Sequence, residues 1–379
     1  MMKKFCLLFL LLGAMLPAHA SLEAWNNWLG APLLNRQWRY DERFRLPGDV
    51  HTRSAYLRDT KLCGLIAYEI KFHLDEGRIT AIDIIFSNKG DTADHVRRQI
   101  AYAKKKLRDD LNKMIGKPES TRLGPDRFKT KAEVWKTPEI IFALEADAGD
   151  YVILHIYPPA TILTAENARD VRQKIDAIDL AGRVQRNDFG DVFLVVPQVD
   201  QGDKGYCVPA TYGRILRYYG IDTISMHQLA ALFQSDRDDG TDIFGAHKKI
   251  APLFRSVGIN VRKQGDIAFP AIQKAIDRGT PLIWVLYADP KYEDIRLINT
   301  RSRGGDPKAW RRNKITKSRA DSLPKSECGH VCLIVGYNSL TEEIAVSNSW
   351  SSEADGRPTW VPFRVAKKYS AGESYLCTP

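Results

Sequence analysis

The chain of 379 residues has only six cysteines and five methionines, no internal repeat, no low-complexity tract and, beyond its first twenty residues, no long apolar run. The last absence excludes an ordinary membrane-spanning helix, because a bilayer core needs roughly 20 consecutive apolar residues. Lys and Arg number 56 against 46 Asp and Glu, a formal net charge of +10. Yet the surplus is spread along the chain, with no reader helix and no RNA-binding signature to concentrate it, so nucleic acid is not an expected partner. Anionic cell-envelope polymers or acidic polypeptides suit such a surface better.

What is present begins with compartment. "MMKK" precedes the apolar run Phe5 to Leu16 and then "PAHA", with Ala18 and Ala20 at the two positions a signal peptidase reads. Residues 1–20 therefore read as a signal peptide, with no cysteine for lipoprotein processing, and the expected location is periplasmic or extracellular. Removing this segment takes Cys6 away and leaves Cys63, Cys207, Cys328, Cys332 and Cys377. An odd number in an oxidising compartment leaves at least one thiol outside a disulfide. Cys207 is the candidate; the pairing of the others stays open.

The remaining length suits two domains better than one core. Residues 21–160 read as an α+β accessory domain. "GLIAYEIKFHL" and "ITAIDIIF" form a predicted hairpin across "DEGR", and a helix capped by Asp91 or Thr92 follows. Val96, Ile100, Ala103, Leu107, Leu111 and Met114 make its expected buried stripe, and Gly116 with Pro118 ends it. "AEVW", "EIIFALEA" and "YVILHIYP" predict three further strands. Residues 161–190 read as a helical linker with Val171, Ile175 and Ile178 on one side. Residues 191–379 have another rhythm: helices around "SMHQLAALFQ", "FGAHKKIAPLFRSVG" and "AIQKAIDRG", then strands at "PLIWVLYA", "HVCLIVGYN" and "EEIAVSNSW". Helices before strands predict a helical lobe followed by an antiparallel sheet. The segment from Asp289 to Gly329, basic and turn-rich, reads as a solvated, partly mobile insertion or a substrate-gating loop.

Within this second region "QGDKGYCVPAT" sets Cys207 between a glycine-laced loop and a helix start, where unpaired backbone N–H groups and the helix dipole favour a thiolate. A thiol nucleophile also needs a base, a group that orients the base, and donors for an oxyanion. His330 opens a strand and Asn348 ends the next, so adjacent antiparallel strands could bring them together. Gln201, six residues before Cys207, could fold its amide back beside the thiol, the N–H of Cys207 being the second donor. Trp350 either shields the His330–Asn348 pair or simply packs. Each residue has a plainer reading: a buried or disulfide-bonded Cys207, a core His330, a turn Asn348, a loop Gln201. Cys328, His330 and Cys332 alternate on one strand as zinc ligands might, but no fourth ligand is evident, and neither metal nor cofactor is expected.

"QGDKGYC", "GHVCLIVGYN" and "SNSW" resemble the oxyanion-glutamine and nucleophile loop, the histidine strand and the asparagine motif of papain-like cysteine peptidases. "CVPAT" and the compactness of the domain resemble the bacterial bacteriocin-leader, or family-39, type. The resemblance implies a two-lobe papain-like fold and Cys207 as nucleophile, His330 as general acid/base, Asn348 as its orienting group and Gln201 as oxyanion donor. Lys204 stands where many papain relatives have a disulfide cysteine, Val208 where they have tryptophan, and Gly329 where they often have aspartate. Bacteriocin-leader enzymes usually place aspartate at the Asn348 position, so the chain combines two patterns. The expectation is a periplasmic or extracellular cysteine peptidase acting on a polypeptide; acyl transfer or amidase chemistry on the same intermediate, or a binding protein that has lost turnover, are its rivals. The accessory domain is expected to recruit substrate, so that a chain starting near Asp191 keeps activity on small peptides.

Overall fold

The structure is a computed structural model. It describes residues 52–56, 61–62, 64–75, 78–90, 96–147, 149–161, 163, 168–202, 204–221, 223–312, 320, 322–323, 329–350 and 357–379. The leader, the Asp91/Thr92 cap, Cys6, Cys63 and Cys328 lie outside these residues. The protein is α+β, with two large antiparallel sheets. The chain folds into two compact units: one comprises Met1–Asn167, Asp203–Gly205 and Thr223–Asp239, and the other comprises Ala168–Gly202, Tyr206–Asp222 and Gly240–Pro379.

In the first unit, β1 (Thr52–Tyr56), β4 (Glu69–Asp75), β5 (Arg78–Asn88), β6 (Glu119–Leu123), β7 (Thr130–Lys136), β8 (Ile141–Asp147) and β9 (Tyr151–Tyr157) form a sheet in the order β1-β4-β5-β9-β8-β7-β6. The short β2 (Lys61–Leu62) and β3 (Leu65–Ile66) pair separately. β4 and β5 are the expected hairpin, and β7, β8 and β9 the three expected strands. Helix α1 (Val96–Met114) buries Ile100, Ala103, Leu107 and Leu111 in one cluster with Ile82, Ile84, Phe142 and Leu154. Met114 departs from the expected stripe: in the last turn it is 43% exposed.

The sheet also carries a layer of buried charge. Asp83 accepts from His155 Nδ1 at 2.7 Å and His73 Nε2 at 2.8 Å, while Tyr151 donates to Glu145 at 2.5 Å. Burial alone would lower the pKa of His155, but Asp83 and Glu145 outweigh it and lift the value to about 10. Residues Thr223–Asp239 belong to this unit although they come from the second half of the sequence. Their helix, α4 (Met226–Phe233), starts with a capping box between Ser225 and Gln228. His227 meets Glu69 at 3.1 Å, Gln228 donates to Glu145 at 2.8 Å, and Ala231 packs on Ile85, Tyr151 and Ile153.

The second unit opens with α2 (Ala168–Asp176), which buries Val171 and Ile175, while Ile178, the third residue of the expected apolar side, lies beyond its end. Its central helix is α3 (Cys207–Tyr218). Pro209 is tolerated in the first turn because the N–H it lacks would have no intrahelical acceptor. Gly220, at φ 77°, reverses the chain after the last turn, and Ile221 N–H reaches back to Leu216 O at 2.9 Å. Helices α5 (Ile243–Ser256) and α6 (Phe269–Ile276) follow. The sheet comprises β10 (Gln185–Arg186), β11 (Asp191–Phe193), β12 (Asn260–Gly265), β13 (Leu282–Tyr287), β14 (Gly329–Asn338), β15 (Glu343–Ser347), β16 (Thr359–Pro362) and β17 (Ser370–Thr378). Its order is β10-β11-β14-β13-β17-β12, with β15 joining β14 to β16. Gly336 lets β11 and β15 approach β14 together: a Cβ there would meet Val192 O at 2.7 Å and the Phe193 Cβ at 2.8 Å.

The segment after β13 departs from the expected solvated insertion. Residues Pro290–Ser302 form α7, and Pro307–Arg312 form α8. Asp289 caps α7 by accepting from Tyr292 N–H at 2.7 Å, and Tyr292 and Arg296 are buried. Arg303 pairs with Asp191 at 2.5 Å and Glu343 at 2.8 Å, tying this basic stretch to the sheet. A short helix, α9 (Phe363–Tyr369), precedes β17.

Candidate active site

Cys207 is the first residue of α3 and is half-buried. Cys207, Cys332 and Cys377 stand as thiols, with none of the three in a disulfide. Burial raises the pKa of Cys377, which suits an inert core residue.

One turn after Cys207, on the same helical face, Thr211 donates its hydroxyl to Val331 O at 3.2 Å. That bond docks the start of α3 against the start of β14, one residue from His330. β14 is hydrogen-bonded on both sides and buried from His330 to Asn338, so His330 enters the core from a rigid strand. The antiparallel register puts Ser347, the last residue of β15, opposite Leu333. The chain beyond Ser347 therefore runs back beside His330. Asn348 Oδ1 lies 3.1 Å from His330 Nε2, and the Trp350 ring stacks on the imidazole at 4.5 Å between centroids, tilted by 28°. An amide oxygen can only accept, so Nε2 carries the proton and Nδ1 is the basic nitrogen.

Gln201 reaches the same neighbourhood from the opposite side of the sequence. Its N–H donates to Ser349 O at 2.7 Å, and its Oε1 accepts from Ser349 Oγ at 2.7 Å. The engaged carbonyl oxygen fixes which way the amide faces, with Oε1 toward Ser349. Gly202 turns the chain directly afterwards at φ 68°, its N–H held by Asp200 at 2.8 Å. The structure thus shows an imidazole oriented through its far nitrogen, an amide oriented through its oxygen, and, through Thr211, the helix that Cys207 begins docked on the strand of His330. These are the parts needed for covalent attack on a carbonyl.

Residues 193–376 match the model of the Peptidase_C39 like family. The match supports a C39-like, papain-like cysteine peptidase domain for this region. No curated protein and no solved structure matches the chain.

The C39-like domain surrounds His330 with apolar and cationic neighbours. Burial, the Asn348 hydrogen bond and the charge of Arg296 act on it together; burial dominates, and the pKa falls to about 4. Arg296 lies over the Trp350 ring at 5.7 Å from its centroid and is held by Thr359 and Glu293. The imidazole of the resting domain is therefore neutral at pH 7 and able to accept a proton. Among the described residues no group of three or more His, Cys, Asp and Glu is placed to hold a metal ion, and His330 Nε2 is committed to Asn348.

Sequence reasoning missed several residues in the domain. Ser349 anchors Gln201 from inside the "SNSW" motif, and a hydroxyl beside the candidate asparagine was the available signal. Gln198 donates to Asn348 O at 2.7 Å, with nothing local to mark it. Arg214 is the third: a fully buried charge in the middle of α3, seven residues after Cys207.

Proposed function

We propose that the protein is a periplasmic or extracellular cysteine peptidase, its papain-like domain following an accessory module and its Cys207, His330, Asn348 and Gln201 forming the catalytic set. His330 Nδ1 takes the thiol proton, and the Cys207 thiolate attacks a peptide carbonyl. The N–H of Cys207 and the Gln201 amide stabilise the resulting oxyanion. Imidazolium His330 then protonates the leaving amine and the acyl-enzyme thioester forms. A water deprotonated by His330 hydrolyses it, releasing the acid product and restoring the thiol. Asn348 keeps the ring in the tautomer that presents Nδ1, and Trp350 excludes water from that bond. The helix dipole at the start of α3 favours the thiolate.

The observation that carries this reading is the His330 Nε2–Asn348 Oδ1 bond under the Trp350 ring, on a strand pinned to the helix that Cys207 begins. The test combines iodoacetamide labelling of the native protein with cleavage of a peptide library by wild type, Cys207→Ala and His330→Ala. Selective labelling of Cys207, with turnover lost in both variants and their folds intact, supports the peptidase. Equal cleavage by wild type and Cys207→Ala overturns it. Exclusive capture of the acyl group by added amines would move the reading to acyl transfer.

A further inference from the structure

Arg214 is fully buried on α3, two turns after Cys207. Its guanidinium spends three donors on two separate chain segments. Nε donates to Pro197 O at 3.1 Å; Nη1 donates to Ser347 O at 2.8 Å and Nη2 to Ser347 Oγ at 2.5 Å. Pro197 lies four residues before Gln201, and Ser347 directly precedes Asn348 and Ser349. One helical turn further on, Arg217 donates to Gln198 O at 2.9 Å, and Gln198 bridges to Asn348 O at 2.7 Å. We infer that Arg214 is a positioning residue: it fixes the Gln201 loop and the Asn348–Ser349 segment at a set distance from the helix that carries Cys207.

This rests on the catalytic reading above. Its physical argument is that a buried guanidinium surrenders its hydration, whereas a Leu or Met would fill the same space without removing a charge from water. The planar fork supplies what an apolar side chain cannot, donors in fixed directions to two segments at once. His330 depends on that link only through Asn348, because β14 itself is held by β13, β15 and the Thr211 bond. Gln201 does depend on it, since Ser349 anchors its backbone and its side chain and follows Ser347 by two residues. Loosening Arg214 therefore displaces the oxyanion donor relative to the thiol more than it disturbs His330.

The experiment uses the full chain carrying Arg214→Met, Arg214→Lys or Ser347→Ala, with a peptide taken from the library screen. For Arg214→Met the expected result is a kcat lower by about tenfold to a hundredfold, up to the loss seen when one oxyanion donor is removed, with KM within about twofold. Inhibition by a peptide aldehyde, whose hemithioacetal oxygen needs the same donors, weakens in parallel. The rate of iodoacetamide alkylation, which needs no oxyanion donor, falls by less than kcat does. Arg214→Lys does not rescue, because an ammonium cannot reproduce the fork, and Ser347→Ala falls between wild type and Arg214→Met because the backbone acceptor remains. A kcat within about threefold of wild type in Arg214→Met overturns the inference, as does a parallel fall in kcat and alkylation. If Arg214→Met does not fold, Ser347→Ala decides: full kcat and full aldehyde affinity overturn the proposal. A wild type inert to peptides and to alkylation would overturn the catalytic reading and this inference with it, whereas an inactive Cys207→Ala beside an unimpaired Arg214→Met would overturn the inference alone.

Discussion

Replacing Asn348 by alanine removes the acceptor 3.1 Å from His330 Nε2 and leaves the rest of the imidazole's surroundings in place. The Trp350 stack remains, and so does the Asn348 carbonyl that accepts from Gln198. Both partners are buried, His330 at 6% and Asn348 at 2% exposure, so water is a poor substitute for the lost oxygen. A hydrogen bond to a group that becomes charged during the reaction is worth about 1.5–3 kcal/mol, which corresponds to roughly a tenfold to 150-fold loss in kcat/KM. The pH profile should move as well. The Asn348 bond raises the pKa of His330 against the larger effect of burial, so its removal disfavours the imidazolium. The limb of the bell that reports the imidazole should therefore shift to lower pH in Asn348→Ala. Asn348→Asp adds a negative charge beside Nε2 and should shift that limb upward. Measuring kcat/KM and iodoacetamide alkylation across pH 4–10 tests this, with thermal unfolding to check the fold. A loss below about threefold, or a limb that does not move, would refute the assignment of Asn348 as the group that orients the base.

Gln201→Ala should lower kcat by roughly a hundredfold to a thousandfold while leaving the alkylation rate of Cys207 near wild type, and equal losses in both would remove Gln201 from the oxyanion role. Stability should fall at mildly acidic pH: His330 has a folded pKa of about 4 against about 6.5 unfolded, so the unfolded state binds the extra proton between those values. The contribution is complete above about pH 6.5 and lost progressively to about pH 4, on the order of 3 kcal/mol, and urea unfolding of wild type against His330→Gln should show a steeper acid decline in wild type; parallel curves would contradict it. A chain starting at Asp191 should be less stable than the full chain by about 3 kcal/mol or more, because it leaves α4 without Glu69, Glu145 and the apolar residues Ile85, Tyr151 and Ile153. Equal urea midpoints and slopes for the two chains would show that α4 does not need the N-terminal sheet.

The sequence by itself determined the parts of the site that local pattern encodes. A cysteine between a glycine-rich turn and a helical period, a histidine at the head of a continuous apolar run, and an asparagine just past another such run are visible because helix starts and buried strands have short-range signatures. The same signatures located α1, the β4–β5 hairpin, the strand that carries His330 and the strand that Asn348 follows. Short polar strands escaped: β6, β12 and β17 alternate weakly and owe their conformation to the neighbours they pair with. Helix α7 escaped because the side it buries carries Arg296 beside Tyr292 and no apolar stripe, although Asp289 and Pro290 mark its start.

Only the tertiary structure decided which residues stand behind the site. Ser349 on the Gln201 amide, Arg214 between two segments over a hundred residues apart in sequence, and Arg296 beneath Trp350 are contacts between distant parts of the chain, and no window of sequence contains both partners. The same holds for α4, whose apolar face announces burial but not the sheet it covers. Periodicity records that a side chain is buried; the identity of its partner is set by chain closure and packing, which are long-range by nature.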